Sequence, residues 1–307
     1  MNAIDEGVVA IDGPWTHRTV SAGGTRFHVA EAGEGPLVLF LHGFPAFWWA
    51  WRHQLRALPA AGYRAVAVDL RGHGGSDKPP RGYDLITLAG DAAGLVRALG
   101  EANAVIVGHA LGGLLGWTMG IYHPKVVERL VVTSMPHPLR LAGSLLTDPR
   151  RQAWAARYGV GFQMPVLPER RLVRDGAEIV GRMLRAWSGP GWPDPETELR
   201  YREAIRIPGV AHCTLECYRW LLRSQLRPDG HRYRQAMRTP VQVPTLQLHG
   251  ALDPVMLPRS ARGSSRYVDA PYRWRLIEGA GHFPHEERPE FLTTELLGWL
   301  SDDTLGH

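Results

Sequence analysis

Three loops in this 307-residue chain carry residues arranged for acyl- or alkyl-transfer chemistry. The first presents a position whose reactive group is missing. Val105-Ile106-Val107 is a β-branched run, and Gly108-His109-Ala110-Leu111-Gly112-Gly113 follows it into a helix-like stretch, Leu114 to Met119. This is the spacing of a nucleophile elbow, G-x-S-x-G, in which a sharp strand-to-helix turn lifts one side chain above a sheet. Gly108 and Gly112 permit the turn, because a Cβ there would meet neighbouring backbone. The lifted residue is Ala110, which has no atom able to attack carbon.

The other two loops supply an acid and a base. Asp253 follows the apolar run Leu246-Gln247-Leu248, and His282 follows Leu276-Ile277 within Gly279-Ala280-Gly281-His282-Phe283-Pro284. Taken singly, Asp253 reads as a turn residue and His282 as a loop histidine. Their order after position 110 is that of a triad, with the Asp253 carboxylate expected on His282 Nδ1. A further loop, His42-Gly43-Phe44-Pro45, follows Leu37 to Leu41. Its backbone N–H groups, Phe44 above all, can join that of Leu111 in an oxyanion hole. Alone, it is equally a turn before a helix.

Positioning these loops requires a sheet. Leu37 to Leu41 is a continuous apolar run, as expected of a strand covered on both faces. Ala65 to Val68, Val105 to Val107, Leu130 to Val132, Leu246 to Leu248 and Trp274 to Ile277 are similar. Arg26 to Glu31 alternates and reads as an edge strand paired with Arg18-Thr19-Val20. Helical patterns lie between the runs: Trp48 to Leu58, Leu85 to Leu99, Leu111 to Tyr122 and Pro289 to Leu300. The alternation predicts an α/β fold with a mostly parallel, doubly wound sheet, whose ligands bind at the carboxyl ends of the strands. The alternation fails between residues 138 and 240. The expected organisation is therefore a core in two parts, 1–137 and 241–307, with residues 138–240 inserted as a helical cap.

Composition narrows the classes. A net charge of +5 with scattered arginines argues against nucleic-acid binding. Cys213 and Cys217, the two cysteines, are spaced i,i+4 and read as reduced core thiols, not as a disulfide or metal site. The start, Met1 to Glu6, lacks the pattern of a signal peptide. No apolar stretch approaches a transmembrane span. The expected setting is cytoplasmic, without metal, cofactor, membrane or nucleic acid. The expected partners are a small apolar substrate, an epoxide or an ester, and a second copy of the chain as a homodimer.

Over nearly its full length the chain resembles the α/β-hydrolase superfamily, and in detail the epoxide hydrolases. The residues that carry the resemblance are His42-Gly43-Phe44-Pro45 with Phe47-Trp48-Trp49-Ala50-Trp51-Arg52-His53-Gln54, then Asp69 to Pro80, then Met135-Pro136-His137-Pro138. In that family two cap tyrosines hold the epoxide oxygen. One stands four residues before Phe-Gln-x-Pro, as Tyr158 stands before Phe162-Gln163-Met164-Pro165; the other precedes Arg, as in Tyr218-Arg219. The resemblance implies that Tyr158 and Tyr218 protonate the opening oxygen, and that His42, Trp48, His109 and Pro136 line the pocket. The alternative is that both tyrosines are ordinary amphipathic cap residues.

The departure is at the elbow. Epoxide hydrolases of this type carry Asp there, typically followed by Trp; serine esterases carry Ser, often followed by Leu. Ala110-Leu111 matches neither, and Leu111 leans towards the serine pattern. Losing a triad nucleophile typically costs roughly 10⁶-fold in kcat. Three accounts of Ala110 stand open: a change from Asp or Ser that traps a complex, a natural binder without turnover, or a pocket whose reaction needs no nucleophile. The expected function is epoxide hydration with the nucleophile missing, the alternatives being a serine esterase or lipase-like enzyme and a ligand-binding pseudohydrolase.

Overall fold

The computed structural model describes residues 4–153, 157–302 and 304, so the first three residues of the N-terminal stretch lie outside it. The apolar runs become eight strands: β1 (Thr16–Ala22), β2 (Thr25–Ala32), β3 (Leu37–Leu41), β4 (Arg64–Val68), β5 (Ala104–His109), β6 (Val127–Thr133), β7 (Thr245–Gly250) and β8 (Tyr272–Ile277). They form one sheet in the order β1-β2-β4-β3-β5-β6-β7-β8. β2 is antiparallel to β1 and β4, and every later pairing is parallel.

Every residue of β3 and β5 is buried, because helices cover both faces. Side chains alternate between the two layers: Leu37, Leu39 and Leu41 enter one core, Val38 and Phe40 the other. Two strands depart from expectation. β8, read as covered on both faces, is an edge of the sheet, with Arg275 and Leu276 exposed. β2 is not an edge; it sits between β1 and β4, pairing Val20 with Phe27 on one side and Val68 with Val29 on the other. Arg26 is exposed and Phe27 buried at its start, but Val29 and Ala30 are both buried. The alternation described only the half of the strand that reaches the rim.

Helices α1 (Arg52–Ala57), α2 (Leu85–Ala98) and α3 (Leu111–Tyr122) follow β3, β4 and β5. A 3₁₀ turn, Trp48–Trp51, begins the segment read as one helix from Trp48. Between β6 and β7 come α4 (Pro138–Thr147), α5 (Tyr158–Gly161), α6 (Leu167–Val173), α7 (Glu178–Trp187), α8 (Pro195–Ala204), α9 (Val210–Arg223) and α10 (Pro228–Ala236). No strand interrupts them among the described residues. α11 (Pro258–Arg262) precedes β8, and α12 (Pro284–Glu287) and α13 (Pro289–Leu300) follow it. Local chemistry sets several starts. Asp84 accepts from Thr87 N at the head of α2, and Asp194 from Thr197 N at the head of α8, where Pro195 takes the first turn. Among the described residues no helix is long and apolar enough to cross a membrane.

Candidate active site

The elbow forms where β5 meets α3. Ala110 has φ 48° and ψ −109°, a conformation that costs a residue with a Cβ about 1–3 kcal/mol. Its N–H is tied to Thr133 O at 3.0 Å. The two glycines are needed because backbone comes so close: a Cβ on Gly108 would lie 2.2 Å from Gly112 O, and one on Gly112 2.0 Å from Leu41 O. The loop after β3 packs directly onto the turn, since a Cβ on Gly43 would lie 2.7 Å from Ala110 Cβ. Leu111 N–H belongs to the first turn of α3, whose free N–H groups have no intrahelical acceptor and form the positive end of the helix dipole. Phe44 and Leu111, both buried, thus border the elbow from two sides.

The loops after β7 and β8 meet beside it. Asp253 Oδ2 accepts from His282 Nδ1 at 2.9 Å. Its Oδ1 accepts from Val255 N and Met256 N at 2.8 and 2.9 Å, so the carboxylate cannot swing away. His249 Nε2 lies 3.3 Å from Oδ2. Burial alone would raise the Asp253 pKa, but the charge of His282 and the hydrogen bonds from His249 and His282 hold it well below the usual carboxylate range. With Nδ1 engaged, His282 has Nε2 left for proton transfer.

That depressed pKa has a measurable consequence. An unfolded aspartate titrates near pH 3.9, above the folded value, so the pairing stabilises the fold at higher pH and the contribution drains away as pH falls below about 4. Asp253→Asn should therefore lower the urea midpoint most above pH about 5. The gap from the parent should narrow progressively below pH about 4. A gap that stays constant down to pH 3 would show that the carboxylate charge contributes nothing.

Helices between β6 and β7 bring aromatic side chains to these groups. α9 carries Tyr218 and α5 begins at Tyr158; their rings are T-shaped with centroids 6.0 Å apart. The flanking motifs hold them there. Arg219 donates from Nε to Phe162 O at 3.0 Å and from NH2 to Met164 O at 2.8 Å, while Gln163 Nε2 donates to Tyr218 O at 3.2 Å. These bonds fasten the end of α5 to α9. Trp187, at the end of α7, completes the wall, 5.0 Å from Tyr158 and 5.9 Å from His282 between centroids. Phe44 meets Tyr218 from below at 5.9 Å. Burial and then the Asp253 carboxylate raise the Tyr158 pKa; burial and then Tyr158 raise that of Tyr218. Both stay phenols at neutral pH, and neither hydroxyl has a hydrogen-bond partner among the described residues. A cavity of about 310 Å³ opens between α5, α6 and α7, with Tyr158, Phe162 and Trp187 on its inner wall and Leu172, Ile179 and Met183 around them.

Three residues expected at the pocket wall are turned into the core instead. His42 is fully buried, with Nδ1 on Gly43 O at 3.0 Å and Nε2 accepting from Leu70 N at 3.1 Å; it braces the loop that carries Phe44. Trp48 is fully buried on the N-terminal side, where its Nε1 donates to Val9 O and its ring meets Trp15 and His17. His109 sits beneath the base and donates from Nε2 to His282 O at 2.7 Å. Burial, and then the charge of His282, pushes its pKa well below the usual value and keeps it neutral. In each case the ring has a backbone partner pointing inward, a bond between distant segments that no local pattern displays. Pro136 is buried between β6 and α4. Cys213 and Cys217 are buried free thiols on α9. Among the described residues no cluster of His, Cys, Asp and Glu could hold a metal ion.

Sequence reasoning missed Trp187, His249 and Glu287. His249 lies near the end of β7, four residues before Asp253, and that spacing was available as a signal. Trp187 lies far from every motif and carried none.

Comparison with known proteins identifies the family. Residues 36–289 match the family model described as alpha/beta hydrolase fold. Epoxide hydrolase 3 of Xenopus tropicalis is 35% identical over 295 residues, spanning 92% of this chain and 77% of that protein. Epoxide hydrolase A of Mycobacterium tuberculosis is 32% identical, over 93% of this chain and 97% of that one. Among solved structures, Epoxide Hydrolase A of Mycobacterium thermoresistibile superposes with a TM-score of 0.80 at 29% identity, covering 94% of this chain and 98% of its own.

Proposed function

We propose a function from the premise that this chain belongs to the α/β-hydrolase family, as an epoxide-hydrolase-like member of it: its pocket takes a small to medium apolar epoxide and holds the ring oxygen between Tyr158 and Tyr218. The observation that carries this reading is the pair of phenols, without hydrogen-bond partners among the described residues, that meet beside the His282–Asp253 pair. An opening epoxide turns an ether oxygen into an alkoxide. Two O–H donors from the cap answer that charge, whereas an acyl tetrahedral intermediate calls for backbone donors at the elbow.

In the full reaction a carboxylate at position 110 attacks an epoxide carbon. The ring C–O bond breaks, and the oxygen leaves as an alkoxide protonated by a tyrosine. Water, giving its proton to His282 Nε2, then attacks the carbonyl of the resulting ester and releases a diol. Ala110 removes the first step. The chain as it stands binds the epoxide and does not form the ester.

Binding alone tests the reading. By calorimetry, this protein should bind an apolar epoxide about 30-fold more tightly than the alkene of the same skeleton, two hydrogen bonds being worth roughly 1 kcal/mol each. Tyr158→Phe with Tyr218→Phe should erase the preference. Equal affinity of the parent for epoxide and alkene would reject it.

A further inference from the structure

Glu287 lies outside the triad, the oxyanion loop and the cap tyrosines, yet its buried side chain accepts three main-chain hydrogen bonds beside the base. Its Oε2 accepts from Gly281 N at 2.8 Å and from Gly189 N at 2.6 Å, and its Oε1 accepts from Phe283 N at 2.9 Å. Two of those donors are the residues on either side of His282. The third lies just beyond Trp187, and His282 N itself donates to Trp187 O at 2.8 Å.

The joint is tight on both sides. A Cβ on Gly281 would fall 2.5 Å from Trp187 O, and one on Gly189 would fall 2.7 Å from Gly279 O. The base loop and the end of α7 therefore approach more closely than side chains allow. Trp187 in turn packs on Tyr158 and on the His282 ring. Only a carboxylate offers acceptor sites alone; a carboxamide in its place would turn an NH₂ towards at least one of the three N–H groups.

We infer that Glu287 is a positioning residue for the base: it clamps the backbone on both sides of His282, and by also holding Gly189 it registers the imidazole against the cap wall. This rests on the proposed role of His282 as the group that activates water. It makes a claim that general stabilisation does not. Only the second chemical step needs His282, so only that step should suffer when the clamp is loosened.

The test uses the full chain carrying Ala110→Asp, with and without Glu287→Gln. In the variant with Glu287→Gln, ester formation, followed as a mass gain of one epoxide on the intact protein, should keep its rate within about twofold. Hydrolysis should slow on the order of 10²-fold, the cost of a misplacement of about 1 Å, so that the ester accumulates. Equal slowing of both steps, or unchanged hydrolysis, overturns the inference. If Ala110→Asp alone forms no ester, the proposed function fails, and the clamp is judged on the chain as it stands. There the Nδ1 proton that His282 shares with Asp253 should give a downfield proton resonance that Glu287→Gln broadens or abolishes. A resonance unchanged by that substitution overturns the inference too. Should Glu287→Gln fail to fold, Glu287→Asp, which keeps the charge but is one methylene too short to reach all three donors, is read by the same criteria.

Discussion

Ala110→Asp should convert this chain into an epoxide-opening enzyme, with a rate roughly 10⁶-fold above that of the parent, the scale set by loss of a triad nucleophile. Everything around the missing group is present. The elbow holds position 110 at φ 48° and ψ −109°, at the turn between β5 and α3. The acid and base are bonded at 2.9 Å, and the rings of Tyr158 and Tyr218 lie 6.0 Å apart. Steady-state diol formation from an apolar epoxide, such as a styrene oxide, measures the gain. Ala110→Ser is the control, because a serine alkoxide would have to form an ether, and an ether is not hydrolysed in a second step. Rapid cleavage of aryl esters by the serine variant, with epoxides untouched by the aspartate variant, would make the site an esterase.

In that Ala110→Asp background, Tyr158→Phe with Tyr218→Phe should slow ring opening by roughly 10²–10⁴-fold, the range of general-acid assistance. Either substitution alone should cost only part of this. The two rings lie 6.0 Å apart, so the surviving phenol still reaches the leaving oxygen. The losses should appear in single-turnover ester formation, before water enters, which separates them from the effect expected at Glu287. A double variant as fast as its parent would reduce the tyrosines to packing residues. Each phenylalanine keeps the ring contact with Phe162, and that at position 158 also keeps the contact with Trp187, so the comparison isolates the hydroxyls.

Much of the site was legible in the chain because its parts are local. A nucleophile elbow is a short-range device: two glycines, a strand before and a helix after suffice to specify it. Helices Leu111–Tyr122 and Pro289–Leu300 begin and end where the apolar periodicity does. The triad partners could be placed because each follows an apolar strand directly, and strand ends in a parallel sheet come together at one rim. The motifs around Tyr158 and Tyr218 singled out two residues whose rings meet, but not the cause of their meeting. The cause is the set of bonds from Arg219 and Gln163 to carbonyls of the other segment.

What sequence did not reveal has one physical character. His42, Trp48 and His109 have residue types fit for a pocket, yet each is buried against a backbone carbonyl or N–H supplied from elsewhere in the chain. Backbone groups are the same at every residue, so a bond to one leaves no trace in the pattern of side chains. The same holds for Glu287, whose three donors are all main-chain N–H groups. Burial of the second half of β2 was hidden likewise, because it depends on the neighbour that strand acquires only in the sheet. By itself the sequence determined the fold class, the elbow with its alanine, and the order of acid and base. Tertiary structure alone decided which polar side chains face the ligand and which hold the frame, since that depends on the direction from which backbone partners arrive.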